Sequence, residues 1–533
     1  MSGNLLEIRD LGVAYRTRSG ERTVVDGVSL DVAPGEVTAL LGESGSGKST
    51  VAQSAIGLLA SNGRVTGGSV RLRGDELTGL AERRWRAIRG ARIGLVPQDP
   101  GGSLNPVATI GASVGEALRI HGWKDGAKIR RRVVELLDRV GIDDPETRAR
   151  QHPHELSGGM RQRVLIAAAI ALEPELIIAD EPTSALDVTV QRRVLDLLDE
   201  LRADTGMGVL LITHDLAVAA DRSDRVVVMQ GGRVQEEGRT ADVLRDPEAP
   251  YTQMLLADAP SLASVVERRP PEIAARERPL VEVAGLRQEF GRGRRDPFVA
   301  VDDVSFTVAR GTTHALVGES GSGKTTTGRA LAGFAKPTAG SVRVGDVDVT
   351  ALRSARAFRR TTQLVYQNPL GSLDPRQTVG QAIGEPLRNF RLGSASERAA
   401  KVAASLDLVA LPADAASRRP AELSGGQRQR VAIARALILE PELVVLDEAV
   451  SALDVSVQAQ ILRLLADLQE RLGLTYVFIS HDLAVVRQIA DTVSVLQRGR
   501  QVEQGPTAAV FADPQHDYTR QLLEAIPGRA ARE

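Results

Sequence analysis

The sequence predicts an α/β fold built twice within one chain. Three observations carry this expectation. A long-range internal repeat divides the chain. Short apolar runs alternate with amphipathic stretches. A glycine-rich loop follows an apolar run at the same place in each half. The chain has 533 residues, 42% hydrophobic and 25% charged, which is ordinary globular composition with room for two or more domains.

The repeat is explicit. GESGSGKST at Gly42–Thr50 returns as GESGSGKTT at Gly318–Thr326, and ELSGG at Glu155–Gly159 returns at Glu422–Gly426. QDPGGSLNP at Gln98–Pro106 matches QNPLGSLDP at Gln367–Pro375, and DLAV follows both His214 and His481. The order is the same in both halves, and the period is too long for a solenoid, so the unit is a duplicated domain. The expected organisation is a first domain over 1–260, a linker over 261–278 and a second domain over 279–533. The linker carries a Pro-Pro pair and mixed charge. Gly291–Asp296 (GRGRRD) reads as a solvated basic turn.

The elements follow in chain order. Leu5–Ile8 and Leu280–Val283 alternate and read as short strands. Val37–Leu41 and Thr313–Val317 are apolar runs leading into the glycine loops. Ile129–Val140 has the spacing of an amphipathic helix, and Val164–Leu172 and Val431–Leu439 read as apolar helices after LSGG. Leu176–Ala179 and Leu443–Leu446 end in Asp-Glu; Val209–Ile212 and Tyr476–Ile479 are similar runs. Unbroken apolar runs suit strands of a parallel sheet covered on both faces. Strands alternating with helices give an α/β core in each half.

Composition removes several function classes. Lys+Arg is 67 against Asp+Glu 68, so the net charge of −1 argues against a chain that coats nucleic acid. With no cysteine, disulfides, cysteine zinc sites, iron–sulfur clusters and thiol nucleophiles are excluded. The longest apolar run, Val164–Leu172, is about half the ~20 residues that span a bilayer. The start, MSGNLLEIRD, lacks a basic segment followed by an apolar stretch, so no signal peptide is expected.

Gly42-x4-Gly47-Lys48-Ser49 and Gly318-x4-Gly323-Lys324-Thr325 are P-loops. Their glycines let backbone N–H groups turn inward around phosphate oxygens, and the helix that follows points its positive end at the same anion. Lys48 and Lys324 are expected to reach the β/γ-phosphates, and Ser49 and Thr325 to offer a hydroxyl to Mg2+. Two of the chain's six lysines lie in these loops. Asp180 and Asp447 end apolar strands, where a carboxylate can hold Mg2+ through water. Glu181 and Glu448 come next, placed to polarise an attacking water.

With LSGG at Leu156–Gly159 and Leu423–Gly426, the chain resembles the ABC-type ATPases over essentially its whole length. The resemblance implies two tandem RecA-like α/β cores, each with a β subdomain and a helical signature subdomain. It implies ATP cradled by Gly42, Ser44, Gly45, Gly47, Lys48, Ser49 and Thr50. The second cradle is Gly318, Ser320, Gly321, Gly323, Lys324, Thr325 and Thr326. Tyr15 and Phe290 correspond to the adenine-stacking aromatic. Gln98 and Gln367 correspond to the Q-loop glutamine, which joins Ser49, Asp180, Thr325 and Asp447 around Mg2+. Ser157, Gly158 and Gly159, with Ser424, Gly425 and Gly426, correspond to the signature that meets ATP held by the opposite domain. Asp187 and Asp454 match the D-loop, and His214 and His481 the switch histidine. The family pairs its domains head to tail; here both lie in one chain, so the pair is expected to form intramolecularly with raised effective concentration. Met160 stands where Gln427 stands in the second half, and Ala449-Val450 replaces Pro182-Thr183. Neither change removes a charged or phosphate-binding group, so two hydrolysis-competent sites are expected.

The ends of the halves point to a branch. DPEAPYTQMLLADAP at Asp246–Pro260 and DPQHDYTRQLLEAIP at Asp513–Pro527 resemble the C-terminal extension of oligopeptide and dipeptide importer ATPases. What this implies is an ATPase on the cytoplasmic face of the cell membrane, driving uptake of peptides or related small solutes. Its expected partners are two transmembrane permease subunits and an extracytoplasmic solute-binding protein, with no nucleic acid. The cysteine cluster that some members carry near the extension is missing. The alternative is a soluble twin-domain ABC ATPase acting on ribosomes or nucleic acid. That class would be expected to carry a long charged helical linker, where this chain has a short Pro-broken one. The sequence leaves dipeptide, longer peptide, glutathione and nickel–chelate open as substrates.

Overall fold

A computed structural model describes residues 3–18, 20–184, 186–259, 278–291, 297–451 and 453–528. The chain forms two compact units, one over most of residues 1–263 and one over most of residues 264–526. All of the expected linker but Arg278, and the body of the expected basic turn, lie outside the described residues.

Each unit holds two sheets. In the first, an antiparallel sheet runs Gly20–Val32, Leu6–Thr17, Gly63–Leu72, Asp75–Glu76 in spatial order. The second sheet runs Arg233–Arg239, Arg225–Gln230, Val37–Leu41, Gly208–Thr213, Leu176–Asp180, Ile93–Val96. Its strands are parallel except for the edge strand Arg233–Arg239. The other unit repeats both orders strand for strand.

The apolar runs are covered on both faces, as their composition requires. Leu176 and Ile178 face the antiparallel sheet, in a core with Leu6, Ile8, Val28 and Leu40. Ile177 and Ala179 face the opposite core, with Val114, Leu118, Val133 and Val164 from the helical layer. Leu210 and Ile212 divide from Val209 and Leu211 in the same way. In the other unit Leu443 and Val445 face one core, and Val444 and Leu446 the other. Each central sheet is therefore held between a β layer and a helical layer.

Two expectations are corrected in extent. The strands expected over Leu5–Ile8 and Leu280–Val283 run on to Thr17 and Phe290. The alternation breaks because register shifts between Ile8 and Leu11, and between Val283 and Leu286, interrupt it without ending the pairing. The helix expected over Ile129–Val140 begins at Gly126, because the Asp125 carboxylate accepts from the N–H groups of Ala127 and Lys128. Among the described residues no helix is long and apolar enough to cross a membrane.

Candidate functional site

The parallel order puts the carboxyl ends of four strands along one edge of each central sheet. Leu41 pairs with Thr213, Asp180 with Ile212, and Val96 with Ala179. Residues far apart in sequence therefore meet just beyond those ends, where open parallel sheets bind ligands.

The P-loops lie after Val37–Leu41 and Thr313–Val317. Gly42, Gly45 and Gly47 have φ of 148°, 81° and 103°; Gly318, Gly321 and Gly323 have 140°, 79° and 101°. These are values that side-chain-bearing residues rarely adopt. The Lys48 ammonium is buried and donates to the carbonyls of Gly42 (2.6 Å) and Glu43 (2.9 Å). Lys324 repeats this with Gly318 (2.6 Å) and Glu319 (2.9 Å). Burial pushes Lys324 below its ordinary range, against Glu448 and Asp447, which raise it. Each ammonium is thus buried within its glycine loop and held there by loop carbonyls.

Ser49 Oγ donates to Asp180 Oδ1 at 3.2 Å, and Thr325 Oγ1 to Asp447 Oδ1 at 2.9 Å. Burial raises both aspartates above their usual range, and the hydroxyl contacts only partly offset it. A hydroxyl and a carboxylate are hard donors of the kind that suit Mg2+.

Glu181 and Glu448 are held by backbone and side chain together. Both are non-glycine residues with positive φ, 45° and 49°. Strain of this kind costs about 1–3 kcal/mol and persists only where the surroundings fix it. The surroundings here do. Glu181 N–H donates to Ile212 O at 2.9 Å, and Glu448 N–H to Ile479 O at 3.0 Å. Gln98 Nε2 donates to Glu181 Oε2 at 2.8 Å, while His214 Nδ1 lies 3.2 Å from Oε1. Gln367 Nε2 donates to Glu448 Oε2 at 2.6 Å, and His481 Nδ1 lies 3.4 Å from Oε1. Each carboxylate thus has the Q-loop residue on one oxygen and the histidine on the other. Burial would raise Glu181, but His214, Ser184 and Lys48 outweigh it and hold it at about 2. Glu448 is lowered in the same manner by His481 and Lys324.

His481 has a pH consequence. Burial lowers its pKa, yet Glu448 and Asp482 more than reverse this and lift it above its ordinary 6.5. A raised folded-state value means that the pair's stabilisation is complete below that ordinary value and is lost as pH rises through the lifted one. The stability difference between the native chain and His481→Gln is expected to be largest in mildly acid buffer and to shrink as pH rises. Denaturant titrations across this range check it; a gap that does not change with pH would contradict the ion pair.

The signatures sit at helix starts. Ser157 Oγ accepts from Met160 N–H and Ser424 Oγ from Gln427 N–H, both at 3.3 Å, opening helices Gly158–Ala169 and Gly425–Leu437. The helices therefore begin at the signature itself, with Ser and two Gly opening the N-terminus ahead of the apolar run, as expected. Gln427 Oε1 also accepts from Ser424 N–H at 3.1 Å, closing a reciprocal capping box that Met160 cannot make. Met160 instead lies against the neighbouring hydrophobic core. Gln427→Met is expected to cost the second unit about 0.5–1 kcal/mol, read as a lowered unfolding midpoint. An unchanged midpoint would show that the box contributes nothing. A Cβ on Gly159 or Gly426 would collide with Val190 or Val457.

The remaining expected residues are placed less tightly. Tyr15 is half-buried, with Gly63 against its ring. Phe290 ends its strand opposite Phe298 and is half-exposed. Asp187 and Asp454 immediately precede helices Val188–Thr205 and Val455–Leu472. Sequence reasoning missed Ser184, whose Oγ donates to Glu181 Oε2 at 2.7 Å. It also missed Tyr251 and Tyr518, whose hydroxyls accept the N–H of Glu43 and Glu319. The one signal for the tyrosines was their recurrence in both tails.

Residues 25–184 and 301–451 match the family model described as ABC transporter. Residues 235–282 and 502–532 match the oligopeptide/dipeptide transporter C-terminal region. The oligopeptide transport ATP-binding protein OppD of Mycobacterium tuberculosis is 45% identical over 98% of each chain. The peptidoglycan transport ATP-binding protein YejF of Agrobacterium fabrum is 46% identical over 98% of this chain and 96% of its own. The glutathione import ATP-binding protein GsiA of Escherichia coli is 41% identical over 99% of this chain and 90% of its own. A bacterial ABC transporter cassette solved as a dimer is 30% identical and covers 44% of this chain and 98% of its own, with a TM-score of 0.41. The chain belongs to the ABC transporter family, as a fused pair of ATP-hydrolysing cassettes that carry the C-terminal region of the oligopeptide and dipeptide transporters.

Proposed function

We propose that this chain binds and hydrolyses two ATP molecules to drive uptake of peptides or related small solutes through separate permease subunits at the cytoplasmic face of the membrane. The observation that carries the catalytic part is the doubly held Glu181 and Glu448, each in left-handed backbone between a glutamine and a histidine. The two glycine loops and their buried lysines cradle the phosphates. Ser49, Asp180 and Gln98 in one unit, with Thr325, Asp447 and Gln367 in the other, would hold Mg2+. When bound, Mg2+ neutralises charge on the phosphate oxygens.

The depressed pKa keeps Glu181 ionised at neutral pH, able to orient a water and accept its hydrogen bond. His214 and His481 hold the carboxylates and stand ready to donate toward the γ-phosphate. Tyr15 and Phe290 stack on adenine. Ser157–Gly159 and Asp187 of one unit, and Ser424–Gly426 and Asp454 of the other, complete the opposite unit's site when the two pair head to tail. Gln98 and Gln367 carry closure to the permeases. In the second unit a groove of about 550 Å³ beside Gln367 is lined by Phe334, Tyr366, Phe390, Arg356 and Arg359, a surface suited to a permease segment. The names of the relatives, which give oligopeptide, peptidoglycan and glutathione transport, support peptides and related small solutes as the class of solute. An extracytoplasmic binding protein would deliver it.

The test is affinity capture of the tagged chain from detergent-solubilised membranes. Two polytopic membrane proteins are expected to co-purify. Recovery of ribosomal proteins without them would overturn the importer reading and leave the ATPase chemistry standing.

A further inference from the structure

The transporter-type C-terminal regions touch the catalytic machinery directly. In the first unit, helix Pro250–Asp258 carries Tyr251, which is buried, and its hydroxyl oxygen accepts the N–H of Glu43 at 3.2 Å. In the second, helix Asp517–Glu524 carries Tyr518, equally buried, whose hydroxyl accepts the N–H of Glu319 at 3.0 Å. Glu43 and Glu319 are the second residues of the two P-loops. The carbonyls of these same residues accept the Lys48 and Lys324 ammoniums, both at 2.9 Å. One peptide residue therefore connects the extension to the phosphate-binding lysine.

The extensions are themselves anchored. Glu236 accepts from the N–H groups of Glu248 (2.8 Å) and Ala249 (3.1 Å), just ahead of the first helix. Glu503 accepts from those of Gln515 (2.8 Å) and His516 (3.2 Å), just ahead of the second. Both glutamates lie on edge strands of the central sheets, Arg233–Arg239 and Arg500–Pro506. The tyrosine is thus fixed to the sheet at one end and to the loop at the other. A bland role, an aromatic ring closing the end of a domain, needs the ring but not a hydroxyl aimed at the P-loop in both halves.

We propose that Tyr251 and Tyr518 are positioning residues for nucleotide binding, holding each P-loop open around its lysine through the Glu43 and Glu319 amides. This rests on the reading of the glycine loops as phosphate cradles. Removing the hydroxyl leaves the loop amide without its acceptor and lets the loop sample conformations that do not hold phosphate. The loss is that of one partly buried hydrogen bond, a factor of about three to ten in affinity.

The experiment compares Tyr251→Phe with Tyr518→Phe in one full-length chain, measuring ATP binding by calorimetry with Mg2+ and the unfolding midpoint by thermal melting. The expected result is a Kd for ATP raised about three- to tenfold with a midpoint lowered by only about 2–4 °C, the loss of one hydrogen bond, because Phe keeps the ring. The paired Leu variants, which lose the ring as well, are expected to lower the midpoint further. The Lys48→Ala, Lys324→Ala chain serves in the same assay and is expected not to bind ATP. If the lysine variant fails to bind and the Phe variant binds as the native chain does, the tyrosine proposal is wrong. If the lysine variant binds normally, the cradle reading falls and the proposal with it. A Phe variant whose midpoint falls as far as that of the Leu variant would make the tyrosines merely structural and also overturn it.

Discussion

Replacing Glu181 and Glu448 together by Gln is expected to reduce ATP hydrolysis by about two orders of magnitude or more while ATP still binds. Gln keeps the size of the side chain and its ability to accept from Gln98 and Gln367. It loses the negative charge that His214 and His481 face at 3.2 Å and 3.4 Å. An amide cannot take a proton from water as a carboxylate can, so the chemical step suffers while the P-loop lysines remain in place. The single variants separate the two sites. Since Glu448 has a similar positive φ and the same kinds of glutamine and histidine contact as Glu181, Glu448→Gln alone is expected to lower turnover, and native turnover in that variant would refute two competent sites. Steady-state phosphate release and calorimetric ATP binding on the same preparations are the measurements. Full turnover in the double variant would remove these carboxylates from the mechanism.

The second large effect is structural. Gly42 and Gly318, the first residues of the P-loops, have φ of 148° and 140°. A Cβ there would collide with the carbonyl oxygens of Met229 and Leu496, which lie in strands Arg225–Gln230 and Thr492–Gln497. Strand backbone cannot step aside as a flexible side chain could. Gly42→Ala is therefore expected to cost its unit about 3 kcal/mol or more, strain and collision together. For a unit of this size that is roughly 6–12 °C in melting temperature. Gly45→Ala is the control. Its φ is also positive, 81°, but no atom lies within 4 Å of the added Cβ. It should cost only the backbone strain, about 1–2 kcal/mol. Scanning calorimetry distinguishes the two variants. Equal costs would mean that the close approach of the loop to the neighbouring strand does not constrain it.

Most of the site was legible because its residues have short-range signatures. A P-loop announces itself by glycine spacing, and Asp180-Glu181 by its place after four apolar residues. The sheet order then does the rest, since parallel strands must deliver their carboxyl ends to one edge. What the sequence could not show was the grip on Glu181 and Glu448. Gln98 and Glu181 are far apart in the chain, and their hydrogen bond depends on the strand order that makes Ile93–Val96 the neighbour of Leu176–Asp180. The left-handed backbone at Glu181 carries no sequence signal, because Glu is not a residue that favours it. The tyrosine contacts were hidden for a related reason. A Tyr-Thr pair in an amphipathic tail reads as helix packing, and only the fold places its hydroxyl beside Glu43. The long antiparallel strands were underestimated because bulges hide alternation from a period-based reading.

The central proposal is that one chain binds two ATP molecules and needs no second copy of itself to do so. The most direct test is ATP binding by the Glu181→Gln, Glu448→Gln chain, with the number of bound nucleotides and the number of chains per particle measured on one sample. The account predicts two ATP molecules per chain and one chain per particle. Two chains per particle appearing only with ATP, or a single ATP bound per chain at saturation, would contradict it.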